Sequence, residues 1–86
     1  MPNYLAKINI MPHKELLDPQ GKTVAKNMSH VHITGVEDVR IGKHIEMKLV
    51  ASNETEANQI VDQSCKKLLA NLITETYSFQ LEAVNN

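Results

Sequence analysis

The sequence predicts an α+β fold, and three observations carry that expectation. Apolar residues recur with period two near both ends, at Tyr4, Ala6, Ile8 and Ile10 and again at Tyr77, Phe79, Leu81 and Ala83. Two inner stretches have helical spacing, each behind a good capping residue. A glycine, Gly42, divides two further alternating stretches.

The first strand has Lys7 and Asn9 opposite its apolar set and ends near Pro12. The stretch LLDPQGKTV then opens a helix. Asp18 is a suitable N-cap, and Pro19 suits the first helical position, where its missing N–H would have been unpaired anyway. Val24, Met28 and Val31 follow at spacings of four and three, with Ala25 beside them, which makes about three amphipathic turns. Next, Val39 and Ile41 alternate with Asp38 and Arg40. Ile45, Met47, Leu49 and Ala51 then alternate with Glu46, Lys48 and Val50. A three-residue loop, Gly42-Lys43-His44, pairs Ile41 with Ile45 and Val39 with Met47 on one face, so a hairpin is expected there.

The second helix is the clearest. Asn53 and Glu56 form a capping-box pattern, and Ala57, Ile60, Val61, Ser64, Leu68 and Leu69 make one face. Glu54, Glu56 and Asp62 load its first half and Lys66 and Lys67 its end, which complements the helix dipole. The order is β-α-β-β-α-β. It predicts an antiparallel four-stranded sheet with two helices on one face, a ferredoxin-like arrangement, with residues 1–86 as a single domain.

Composition narrows the function. Tyr4, Tyr77 and Phe79 are the only aromatics, so the core is aliphatic and thin. The single cysteine, Cys65, excludes an internal disulfide, and open sheet edges favour association with another chain. A net charge of −1 argues against nucleic-acid and acidic-membrane partners. No apolar run approaches the ~20 residues that span a bilayer. The N-terminus lacks the basic-then-apolar order of a signal peptide, and one unpaired cysteine fits the cytoplasm. The Asn27 and Asn53 glycosylation patterns are then chance matches.

The motifs that suggest chemistry do not complete a site. A phosphate loop needs two glycines ahead of Lys-Thr and a strand leading straight in; LLDPQGKTV has one glycine, and a capping Asp18 would repel phosphate. His30 and His32 at a helix end point about 200° apart and lack further ligands at zinc spacing. They read as polar residues closing the first helix. Cys65 lies mid-helix without a neighbouring histidine and reads as a partly buried thiol. No motif orders Ser, His and Asp into a triad. An RNA-binding sheet would show aromatics on its central strands, and the hairpin has none. An ACT-like module, binding an amino acid near the first strand-to-helix loop of a dimer, stays open.

Three stretches in order carry a family resemblance: Asp18-Pro19-Gln20-Gly21, then Val39-Arg40-x-Gly42-Lys43, then Leu68-Leu69-Ala70-Asn71. From about Tyr4 to Glu82 the chain resembles the PurS family, the small subunit of phosphoribosylformylglycinamidine synthase. It departs from the family pattern at Val31-His32, where Leu-Gly is frequent, at Leu72, where a proline often follows the asparagine, and at His44, where an aromatic is frequent. The resemblance implies a complex of purine synthesis that converts formylglycinamide ribonucleotide, ATP and glutamine to the amidine. A PurQ glutaminase releases ammonia, and a PurL synthetase accepts it and uses ATP and Mg. This chain would carry no cofactor and no catalytic residue. It would form a dimer or a pair of dimers, join the two partners and help seal the ammonia route. Asp18, Gln20, Arg40 and Lys43, polar residues of the matched motifs, are the expected partner contacts.

Overall fold

The computed structural model describes residues 2–16 and 18–84. Three strands form one antiparallel sheet in the order β2-β1-β3: β1 (Asn3–Pro12), β2 (Lys43–Val50) and β3 (Glu75–Val84). β1 is central, with Ile8 opposite Ile45 on one side and Phe79 on the other. The period-two pattern therefore puts Ala6, Ile8 and Ile10 on one face with Ile45, Met47 and Leu49 of β2 and Tyr77, Phe79 and Leu81 of β3.

Helix α2 (Glu54–Ser64) covers that face. Its start is as expected, since the Glu56 N–H donates to Asn53 Oδ1 at 2.9 Å. Its buried line is Ala57, Val61 and Cys65, spaced by four. The expected face was turned further round: Ile60 and Leu68 are exposed, and Cys65 is fully buried rather than partly so. A π-type turn, Cys65–Leu69, closes the helix, with the Ala70 N–H donating to the Cys65 carbonyl at 2.9 Å. This wider turn ends with Ala70 buried and Leu68 in solvent. Burying Ile8, Ile10 and Val61 contributes about 1.5–3 kcal/mol each, and these side chains anchor the core.

The four-stranded expectation is corrected. Among the described residues the sheet has three strands, and Val39–Ile41 is not one of them. Nor does Ile41 pair with Ile45, or Val39 with Met47: those β2 residues face Ile8 and Ala6. The reason lies at two close approaches. Gly42 sits where a Cβ would overlap the Ile10 carbonyl and the Met11 sulfur, so the chain enters β2 directly alongside β1. The segment before it packs on a helix instead, with the Val39 carbonyl where a Cβ of Gly21 would be.

That helix, α1 (Pro19–Asn27), and the 3-10 turn Met28–Val31 after it form with residues 32–41 an arm outside the core. His32 ends the turn in the left-handed region, at φ 62°. The two buried clusters and the side chains packed on them contain no residue of this arm. The molecule measures 51 × 29 × 15 Å, and its radius of gyration is 16.8 Å. A compact chain of 86 residues has about 12 Å.

Candidate partner-contact surface

The arm leaves and rejoins the sheet at one point, and a single carboxylate closes it. Asp18 Oδ1 accepts the Gly21 N–H at 3.0 Å, capping α1, while Oδ2 accepts the Ile41 N–H at 2.9 Å. These two backbone donors, Gly21 first, hold the Asp18 carboxyl below its ordinary range. The Arg40 guanidinium donates to the Pro12 carbonyl at the end of β1 and adds a favourable charge beside Asp18. The first two family-marking stretches, far apart in sequence, are thus joined by hydrogen bonds at one end of the sheet.

The third stretch reaches the same end. Glu75 opens β3 and accepts the Asn71 N–H at 2.8 Å through one oxygen. Its other oxygen pairs with Lys43 Nζ at 3.3 Å. The Asn71 amide is the larger cause, and Lys43 the smaller, of a Glu75 pKa below the ordinary range. His13 ties the loop after β1 to the same turn: its N–H donates to the Thr74 carbonyl at 2.9 Å, and its Nε2 lies 3.2 Å from the Leu72 carbonyl.

The four expected contact residues divide into two kinds. Asp18 and Arg40 are half-buried and bonded to backbone of their own chain, so they position the loops. Gln20 and Lys43 are exposed beside a shallow crevice that Pro12, Pro19, Gly42 and Glu75 also line. Sequence reasoning missed Glu75, and it did not single out Asn71 or the apolar knuckle around the turn before β3 as part of a surface. Leu68 is 83% exposed and Ile73 86%, with Leu72 between them. The apolar run Leu68-Leu69-Ala70-Asn71-Leu72-Ile73 was the available signal, but only the π-type turn decides which members face out.

Elsewhere the polar groups serve packing. Tyr77 donates its hydroxyl to Asp62, which also pairs with Lys66 at 3.0 Å. That bond pushes the Tyr77 pKa up to about 12 and, with Lys66, draws Asp62 down. Burial, then Asp62, pushes the Cys65 thiol up, away from the reactive thiolate. Among the described residues no group of three or more His, Cys, Asp and Glu could hold a metal ion, and no helix is long and apolar enough to cross a membrane.

The PurS family model, described as phosphoribosylformylglycinamidine (FGAM) synthase, matches residues 5–83. The chain belongs to the PurS family. It is 38% identical over 82 residues to the phosphoribosylformylglycinamidine synthase subunit PurS of Synechocystis sp., covering 95% of this chain and 82% of that protein. The structure of Thermus thermophilus PurS superposes with a TM-score of 0.86 at 34% identity, covering 98% of this chain and 100% of that one. A chain in the structure of PurLQS from Thermotoga maritima superposes with a TM-score of 0.85 at 27% identity, covering 98% of this chain and 100% of that one. PurS membership agrees with the α+β architecture of two helices and a three-stranded antiparallel sheet.

Proposed function

We propose that this chain is the non-catalytic assembly subunit of a phosphoribosylformylglycinamidine synthase complex, bridging a PurQ glutaminase and a PurL synthetase in the cytoplasm and supporting ammonia transfer between them. The observation that carries the reading is the convergence of the three family-marking stretches on one end of the sheet. Their polar groups are spent within the chain: Asp18 on two amides, Arg40 on a carbonyl, and the Asn71 amide and Lys43 on Glu75. Such a network presents a shaped surface rather than a reacting group. The likeness to a chain of the PurLQS structure supports the choice of partners.

Gln20, Lys43 and the Leu68-Leu72-Ile73 knuckle are the contacts this reading assigns to the partners, with Asp18 and Arg40 as positioning residues. ATP and Mg then belong to the large partner. Ammonia has to cross between two active sites without escaping into water as ammonium, and a subunit that holds both partners in register serves that passage. The test is reconstitution. Glutamine-dependent amidine formation by purified PurL and PurQ is expected to rise when this protein is added. Equal rates with and without it would sink the reading.

A further inference from the structure

The turn before β3 exposes apolar side chains that its own backbone holds still. Ile73 and Leu68 are the two most exposed large apolar residues among those described, at 86% and 83%, with Leu72 beside them. Leu68 does not face out by default. Cys65 is buried, and in an α-helix the residue three positions on shares its face. The π-type turn Cys65–Leu69 is wider, so Leu69 packs on the core while Leu68 rotates off it. Such turns are rare and concentrate at functional sites.

Asn71 is the hub of the turn. Its carbonyl accepts the Thr74 and Glu75 N–H groups at 3.0 and 2.7 Å, its side-chain oxygen accepts the Ile73 N–H at 3.1 Å, and its own N–H donates to Glu75. From the end of β1, His13 holds the Leu72 and Thr74 carbonyls. Leu72 and Ile73 thus stand on a turn with little conformational freedom left to lose when it is covered, which favours a tight contact. Charge says what covers it. Lys66, Glu75 and Glu82 are each paired within the chain, with Asp62, Lys43 and Lys7. Lys67, next to Leu68, is the one charged residue from Ser64 to Val84 with no ion pair among the described residues. It also lines, with Ile60, Gln63 and Ser64, a shallow hollow on the outer side of α2 that continues the apolar surface as far as Glu56.

We propose that this knuckle is the anchor for one partner subunit of the synthase: Leu68, Leu72 and Ile73 enter an apolar socket on that protein, and an acidic rim receives Lys67. A few side chains packed into a desolvated pocket carry most of the affinity of such a contact, and a charge at the rim steers the approach. The place fits the role. Asn71 belongs to the third family-marking stretch as well as to the knuckle, and Glu75 links it to Lys43 of the second. This inference deepens the assembly-subunit reading and rests on it for the identity of the partner.

Ile73→Asp and Leu68→Asp test it, since side chains this exposed can be replaced without unfolding the chain. Binding of the labelled full chain to purified PurL and, separately, to purified PurQ is followed by fluorescence anisotropy. Each variant is expected to bind one of the two at least about tenfold more weakly and the other as the parent does, with Tm and sedimentation unchanged. Lys67→Glu is expected to weaken binding to that same partner and to flatten its salt dependence. Variants that bind both partners as the parent does, or lose both equally, would overturn the single anchor. So would variants that lose self-association instead, because a second copy would then cover the knuckle. A Lys67→Glu protein that binds as tightly as the parent would remove the acidic rim and with it the proposed socket. Any of these results, with glutamine-dependent activity still raised by the parent, leaves the assembly reading standing. A parent that binds neither partner and leaves that activity unchanged ends both.

Discussion

The sheet with α2 and the arm with α1 use the same kind of amphipathic pattern with opposite results. In α2 the pattern finds a surface within its own chain, and Ala57, Val61 and Cys65 are fully buried. In α1 only Gly21 is buried, and what holds the helix in place is its neck: Asp18, Gly21, Arg40 and Gly42. The comparison teaches that hydrophobic spacing announces that a face will be covered, not by which chain. One region is stabilised by burial, the other by a few backbone hydrogen bonds at its root.

The largest expected difference between the regions is in their tolerance of truncation. Ile8→Ala opens a cavity in the core and is expected to cost about 2–5 kcal/mol, lowering Tm by roughly 10 °C or more. Val36→Ala in the arm is expected to stay within about 0.5 kcal/mol at concentrations where the chain is monomeric. Similar losses for both, by thermal or urea unfolding, would erase the distinction. Next in size is the neck. Gly21→Ala places a methyl group against the Val39 carbonyl and Asp18, and a cost of about 1–3 kcal/mol is expected. Its mark is faster hydrogen exchange at Ile41 with unchanged exchange at Ile8; unaltered Ile41 exchange would show that the contact gives way freely. Asn53→Ala removes the α2 cap and is expected to cost about 1 kcal/mol, with the first-turn amide of Glu56 losing protection.

The smallest effect is a pH dependence at the end where the loops meet. The Asp18 carboxyl is depressed by the Gly21 and Ile41 amides, and Glu75 by Asn71 and then Lys43. A depressed carboxylate contributes stability that is complete above its unfolded pKa and is lost as pH falls through its folded one. The neck should therefore hold at neutral pH and loosen only in acid. The amide proton shifts of Gly21 and Ile41 are expected to titrate together, with a midpoint below the ordinary aspartate value of 3.8. Independent midpoints, or one at the ordinary value, would mean that Asp18 does not close the arm. An Asp18→Asn protein is expected to lose the transition at both amides.

Much of this was legible in the residues. The strands β1 and β3, the Asp18 and Asn53 caps and the helical character of both inner stretches follow from local rules, because period and capping depend on neighbours in sequence. The family membership rested on three short stretches and needed no geometry. The hairpin at Gly42 failed for a physical reason. Alternation in Val39-x-Ile41 fits a strand, but a strand also needs a partner for its backbone, and here the Ile41 amide takes the Asp18 carboxylate instead.

The candidate surface was legible only in part. Asp18, Gln20, Arg40 and Lys43 were singled out from the matched motifs, but nothing local says that Asp18 and Arg40 turn inward while Gln20 and Lys43 stay exposed. Glu75 went unnoticed because one partner, Lys43, is distant in sequence and the other is the backbone N–H of Asn71. By itself, then, the sequence determined the two terminal strands, where the helices begin and which family the chain belongs to. Tertiary structure decided the strand count, the outward face of the turn before β3 and the separation of the arm from the core. The first set depends on steric and hydrogen-bonding rules over a few residues; the second depends on competition among distant surfaces for the same small core.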